Sequence, residues 1–193
     1  PALVTEGGTV TVIGSGSNVP RLIAARRCMS LFVAIRRCLT KLVGSEDNLM
    51  FLAGGAMRIK FHGVRGSIPS PGADTVRYGG NSVCTSVRTA DNTLLIFDAG
   101  TGMRVLGKEL LRDGLPDRIH IFITHGHWDH ILGLPFFAPM FMPSAHVCFY
   151  GFTPGHVQGM TDMIIFDGQH FPIKFDSLPS QIERVGHHQD VTV

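Results

Sequence analysis

Ile119-His120-Ile121-Phe122-Ile123-Thr124-His125-Gly126-His127-Trp128-Asp129-His130 is the stretch on which the reading of this chain turns. Its first half is a short β-branched and aromatic run, which predicts a buried strand over Ile119 to Thr124. Its second half sets four metal-capable side chains within six residues, directly after that strand. With 10 His in 193 residues, chance supplies a His-x-His-x-Asp-His pattern roughly 0.0015 times in a chain of this composition. His125 and His127, two apart on extended backbone, point to one side and can share an ion. Asp129 and His130 are adjacent, so they are expected to diverge and to serve a second ion roughly 3.5 to 4 Å away. Imidazole and carboxylate donors without thiolate suit zinc, and manganese and iron accept the same donors.

Outward from the motif, short strands are predicted at Ile59 to Val64, Ser82 to Arg88, Leu94 to Phe97 and His146 to Tyr150, with a helix over Gly102 to Arg112. Strands that first follow one another and then alternate with helices predict an α/β layered domain. The charge-free run from Ile131 to Thr161 carries Pro135, Pro139 and Pro143, so it reads as buried loop and strand and not as a membrane span. Phe136, Phe137, Phe141 and Phe149 within it are expected in the core or, as the lesser alternative, as pocket wall beside the metals.

Residues 1–56 have a different texture. Thr9 to Ile13 reads as a strand, Pro20 to Val43 as a basic helix with an apolar stripe at Leu31, Ile35, Leu39 and Leu42, and Ser45 to Ala56 as a linker. This quarter holds six basic residues against three acidic ones, whereas the whole chain is nearly balanced at a formal charge of +2. That balance gives no nucleic-acid footprint. The chain therefore divides into a basic helical extension, residues 1–56, and a metal-motif domain, residues 57–193. Cys28, Cys38, Cys84 and Cys148 are too few and too scattered for a disulfide framework, so a cytoplasmic setting is expected.

The motif at the end of a core strand resembles the signature of the metallo-β-lactamase superfamily. Further stretches, Met57 through Pro69, Tyr78-Gly79-Gly80-Asn81-Ser82, Phe97-Asp98-Ala99-Gly100-Thr101-Gly102 and Leu134-Pro135-Phe136-Phe137, resemble the opening half of its ribonuclease Z-like, phosphodiesterase-like branch. The resemblance implies an αββα sandwich of two sheets flanked by helices, incomplete at the C-terminus of this chain. It assigns His125 and His127 to one metal and Asp129 and His130 to the other, with Asp129 also placed in the catalytic machinery. Asp98 would accept hydrogen bonds from the metal loop and orient its histidines. Two zinc ions would occupy a complete site.

Three more ligands, a His, an Asp and a final His, are implied downstream. After the motif the chain offers His146, His156, His170, His187 and His188; the last two stand in a strand-to-turn context and are read as non-ligands. His62 stands where the branch usually carries a large aromatic, and reads as a strand-face histidine. The glycine-rich loop after it, with Arg65 and Ser67, could meet a phosphate or could be plain turn geometry.

The implied function is a metal-dependent hydrolase in which a metal-bound hydroxide attacks, most naturally, a phosphodiester. Lactam, lactone or thioester hydrolysis uses the same attack. A reading from another class makes the chain a non-catalytic fragment or interaction module. Half a sandwich would expose Leu94 to Phe97 and Ile119 to Ile123, so homo-oligomerisation is expected, with a small-molecule or phosphodiester substrate as the other partner.

Overall fold

Alternation of side chains along each strand builds this molecule from its centre outward. In the computed structural model, which describes residues 2–6, 9–14, 57–89, 91–151, 161 and 165–186, the run Leu94-Leu95-Ile96-Phe97 is a fully buried strand. Leu94 and Ile96 point to one face and join Ile119, Ile121, Val147 and Phe149 from the next two strands. Leu95 and Phe97 point to the other face, with Phe122 and Val87. Strands covered on both faces read as continuous apolar runs, which is how these look in sequence.

Eight strands form one sheet in chain order: β1 (Ala2–Glu6), β2 (Thr9–Gly14), β3 (Met57–Gly63), β4 (Cys84–Arg88), β5 (Leu94–Phe97), β6 (Ile119–Phe122), β7 (His146–Gly151) and β8 (Gln181–Gly186). The first five pair antiparallel, and β5 to β8 pair parallel. The switch falls at β5, because its connection to β6 is a helical crossover, which returns the chain in the same direction. β2 pairs with β3 from Val10↔Phe61 to Gly14↔Met57. The expected helix Pro20 to Val43 and linker Ser45 to Ala56 lie outside the described residues, as do Cys28 and Cys38.

The crossover helix, α1 (Gly102–Asp113), buries Met103, Leu106 and Leu110 at three- and four-residue spacing against the first face of the sheet. Gly114, at φ 100°, ends it by returning its N–H to the Leu110 carbonyl. Lys60 of β3 and Glu109 of α1 clasp sheet and helix through two 2.8 Å contacts. Beside them His62 is buried, its Nε2 2.9 Å from the Ser86 hydroxyl, as expected for a strand-face histidine. Cys84 and Cys148 are buried free thiols.

Three expectations are corrected. The sheet has strands the sequence reading did not assign, β1 and β8. Leu94 to Phe97 and Ile119 to Ile123 are buried rather than exposed, because α1 and the segment after the motif cover one face and the aromatic and aliphatic layer of Phe97, Phe122 and Val87 closes the other. Phe137 and Phe149 are core, but Phe136 is 55% exposed. The proline-rich run after the motif forms two 3-10 turns, Leu134–Phe136 and Ala138–Phe141, and then β7. No helix among the described residues is long and apolar enough to cross a membrane.

Candidate metal centre

The motif emerges where β6 ends. Phe122 closes the strand, Ile123 donates to the Tyr150 carbonyl, and a short loop ends at His127, which is extended, before the single-turn helix α2 (Trp128–Ile131). His125 and His127 face one side of this loop, and their Nε2 and Nδ1 atoms lie 3.1 Å apart. A tetrahedral zinc with Zn–N bonds of about 2.0–2.1 Å holds neighbouring nitrogens roughly 3.3 Å apart, so this pair fits one edge of such an ion. The His125 and His130 rings sit 4.0 Å apart between centroids.

Asp129 and His130 do not diverge. The Asp129 Oδ2 atom is 3.5 Å from His130 Nε2, because the tight helical turn swings two adjacent side chains toward the same opening instead of opposite faces of a strand. The four side chains thus gather on one side of the β6 terminus. Among the described residues no three His, Cys, Asp or Glu donors are close enough to hold one ion as they stand. The donor chemistry fits zinc, and the donors are arranged as pairs.

Asp98, one residue past β5 and therefore beside β6, stands behind the motif. Its Oδ1 accepts from the Thr124 N–H and the Thr124 hydroxyl, each at 2.8 Å. The Thr124 hydroxyl is itself 3.0 Å from His125 Nδ1. Asp98 Oδ2 lies 2.9 Å from His130 Nδ1 in a short contact that is not aligned as a hydrogen bond. Burial works against the charged form of His130, but the Asp98 carboxylate outweighs it and raises the imidazole pKa. For His125, burial and then the two neighbouring histidines lower it. Asp129 is also penalised by burial, yet the Ser67 N–H at 2.8 Å and His130 carry its pKa below the usual carboxylate range.

The Ser67 amide is a participant that sequence reasoning did not place. The Gly-rich loop, open in sequence to a phosphate contact or to plain turn geometry, turns its backbone to Asp129, with Ser67 held at φ 71°. Close approach of backbones does the rest. A Cβ on Gly133 would come within 2.0 Å of the Gly100 carbonyl oxygen, and one on Gly100 within 2.3 Å of the Asp129 carbonyl. These glycines let the loop after β5 and the turn after the motif touch, with Gly133 N–H donating to Ala99 O at 2.8 Å and Ala99 N–H to His130 O.

Of the other histidines, His146 begins β7, which runs parallel to β6, so it lies at the end of the sheet away from the motif. His170 lies beside Trp128 in a surface pocket. His156, His187 and His188 are outside the described residues.

Residues 77–148, from the loop before β4 through the motif to β7, match the sequence profile of the metallo-beta-lactamase superfamily. That match spans little more than a third of the chain. The chain is also similar to curated proteins. The chain is 34% identical over 80 residues to ribonuclease Z of Haloarcula marismortui, a match covering 41% of this chain and 22% of that protein. It is 33% identical over 81 residues to ribonuclease Z of Staphylococcus epidermidis, covering 41% of this chain and 24% of the relative. The chain thus matches less than a quarter of the length of these relatives. No solved structure matches it significantly.

Proposed function

We propose that the protein carrying this chain is a zinc-dependent hydrolase acting on phosphodiester bonds, with His125, His127, Asp129 and His130 as metal ligands. The observation that carries the reading is the gathering of these four side chains at the C-terminal end of β6, with the His125 and His127 nitrogens 3.1 Å apart. The similarity to ribonuclease Z supports the phosphodiester as substrate class. Bound here, zinc would supply Lewis-acid polarisation of the scissile group and activation of water.

The chain's own residues supply position. Asp98 holds Thr124 and sits against His130, fixing where the imidazoles point. Ser67 N–H holds one carboxylate oxygen of Asp129, which keeps that group ionised and leaves its other oxygen available as a ligand and for orienting water.

The test compares zinc-loaded protein on bis-p-nitrophenyl phosphate and on a chromogenic lactam. Diester turnover that disappears on chelation is expected. Lactam turnover without diester turnover would overturn the substrate assignment.

A further inference from the structure

Three large apolar side chains that remain exposed after folding share one cavity that begins at Trp128, inside the metal motif. Trp128 is 61% exposed, Phe136 55% and Leu132 36%, and all three line one cavity of about 410 Å³, with Ile131, Phe171 and His170. The volume lies within the roughly 300–1,000 Å³ typical of small-molecule sites. Phe136 and Phe171 meet edge to face with centroids 6.0 Å apart, so a ring wall is already set on one side.

One polar group at this wall is oriented. The Asp167 carboxylate lies 2.5 Å from His170 Nδ1, and its other oxygen accepts the backbone N–H groups of Gln169 and His170. With Nδ1 engaged, Nε2 is the nitrogen left to offer a ligand.

We infer that this cavity is a base-binding subsite: the aromatic wall of Trp128, Phe136 and Phe171 stacks a nucleobase, and His170 Nε2 hydrogen-bonds its edge. The inference rests on the phosphodiesterase reading for what brings a nucleotide to the site. Trp128 lies between His127 and Asp129 in the chain, about 3.8 Å from each along the backbone, so a group joined to a phosphate at those residues has the cavity as its neighbour. A flat ring uses exposed aromatic faces that a flexible chain does not, and an aromatic heterocycle also uses a directed imidazole. An acyl chain would use neither.

Trp128 is the one tryptophan of the chain, so its fluorescence reports on this cavity alone. The experiment titrates the protein, with and without zinc, with adenosine monophosphate, ribose 5-phosphate and octanoate. Saturable quenching by adenosine monophosphate is expected, with ribose 5-phosphate roughly tenfold weaker. Phe136→Leu keeps apolar volume but removes the ring, and should weaken adenosine monophosphate about fivefold while leaving ribose 5-phosphate unchanged. Phe136 is more than half exposed, so the variant is expected to fold, and its circular dichroism spectrum checks this. Equal binding of ribose 5-phosphate, tighter binding of octanoate, or no effect of a folded Phe136→Leu would each overturn the subsite. Diester turnover is measured separately: base binding without turnover would sink the hydrolase reading and leave the subsite standing, and turnover without base binding would do the reverse.

Discussion

Asp98 Oδ2 and His130 Nδ1 lie 2.9 Å apart, and this contact ties the end of one core strand to the last residue of a motif that follows the next. Asp98 is 1% exposed and adopts φ 60°, a left-handed conformation that Asp tolerates better than most residues. Asp98→Asn keeps the shape and removes the charge. It should weaken zinc binding about 10- to 100-fold, measured by competition with a chromogenic chelator, because partners behind the ligands set their orientation and basicity. Unchanged affinity would reduce Asp98 to a turn former.

His127→Ala removes one nitrogen of the 3.1 Å pair. Since two metals need about six protein ligands and the motif supplies four, elemental analysis of this chain as a monomer should find no more than one zinc, and the variant should bind it at least 10-fold more weakly in chelator competition. Two tightly held ions per chain would show that other residues complete the site. Zinc held as tightly by His127→Ala would disprove the assignment of the pair.

Gly133→Ala would drive a methyl group to within 2.0 Å of the Gly100 carbonyl oxygen, where rigid backbone stands on both sides. The expected cost is roughly 3 kcal/mol or more in denaturant unfolding, along with displacement of the motif. Gly72→Ala, with nothing within 4 Å of its Cβ, should change stability by less than about 0.5 kcal/mol. Equal effects of the two changes would contradict the close approach.

Burial, and then the charge of Lys60, push the His62 pKa down to about 3. The unfolded chain binds its proton near 6.5, so below that pH protons favour the unfolded state. The stabilisation is complete above about 6.5 and is lost progressively as pH falls toward about 3. His62→Gln can keep the hydrogen bond to Ser86 without titrating. Between pH 7 and pH 4.5 the unmodified protein should lose about 2–3 kcal/mol more than this variant in urea unfolding. Parallel losses would mean that His62 does not carry the acid sensitivity.

Much of this molecule is written in local pattern. β5 was legible residue for residue, and β3, β4, β6, β7 and α1 to within two residues at each end, because burial on both faces demands unbroken apolar runs and a buried helix face demands three- and four-residue spacing. The motif was legible because few other arrangements call for those residue types at that spacing, whereas Asp98 stood out only through the family resemblance. β8 escaped: Gln181-Ile182-Glu183-Arg184 is mostly polar, and only pairing with β7 makes it a strand. The tertiary structure alone decided that Asp129 meets His130 instead of diverging, that Ser67 N–H holds Asp129 from 62 residues away, and that Phe136 lines a cavity while Phe137 fills the core. Each depends on where backbones separated in sequence come to touch, through Gly100 against Gly133 and β5 beside β6. Residue type and spacing determine which groups can do chemistry, whereas the distance between two such groups is set by packing that no local pattern records.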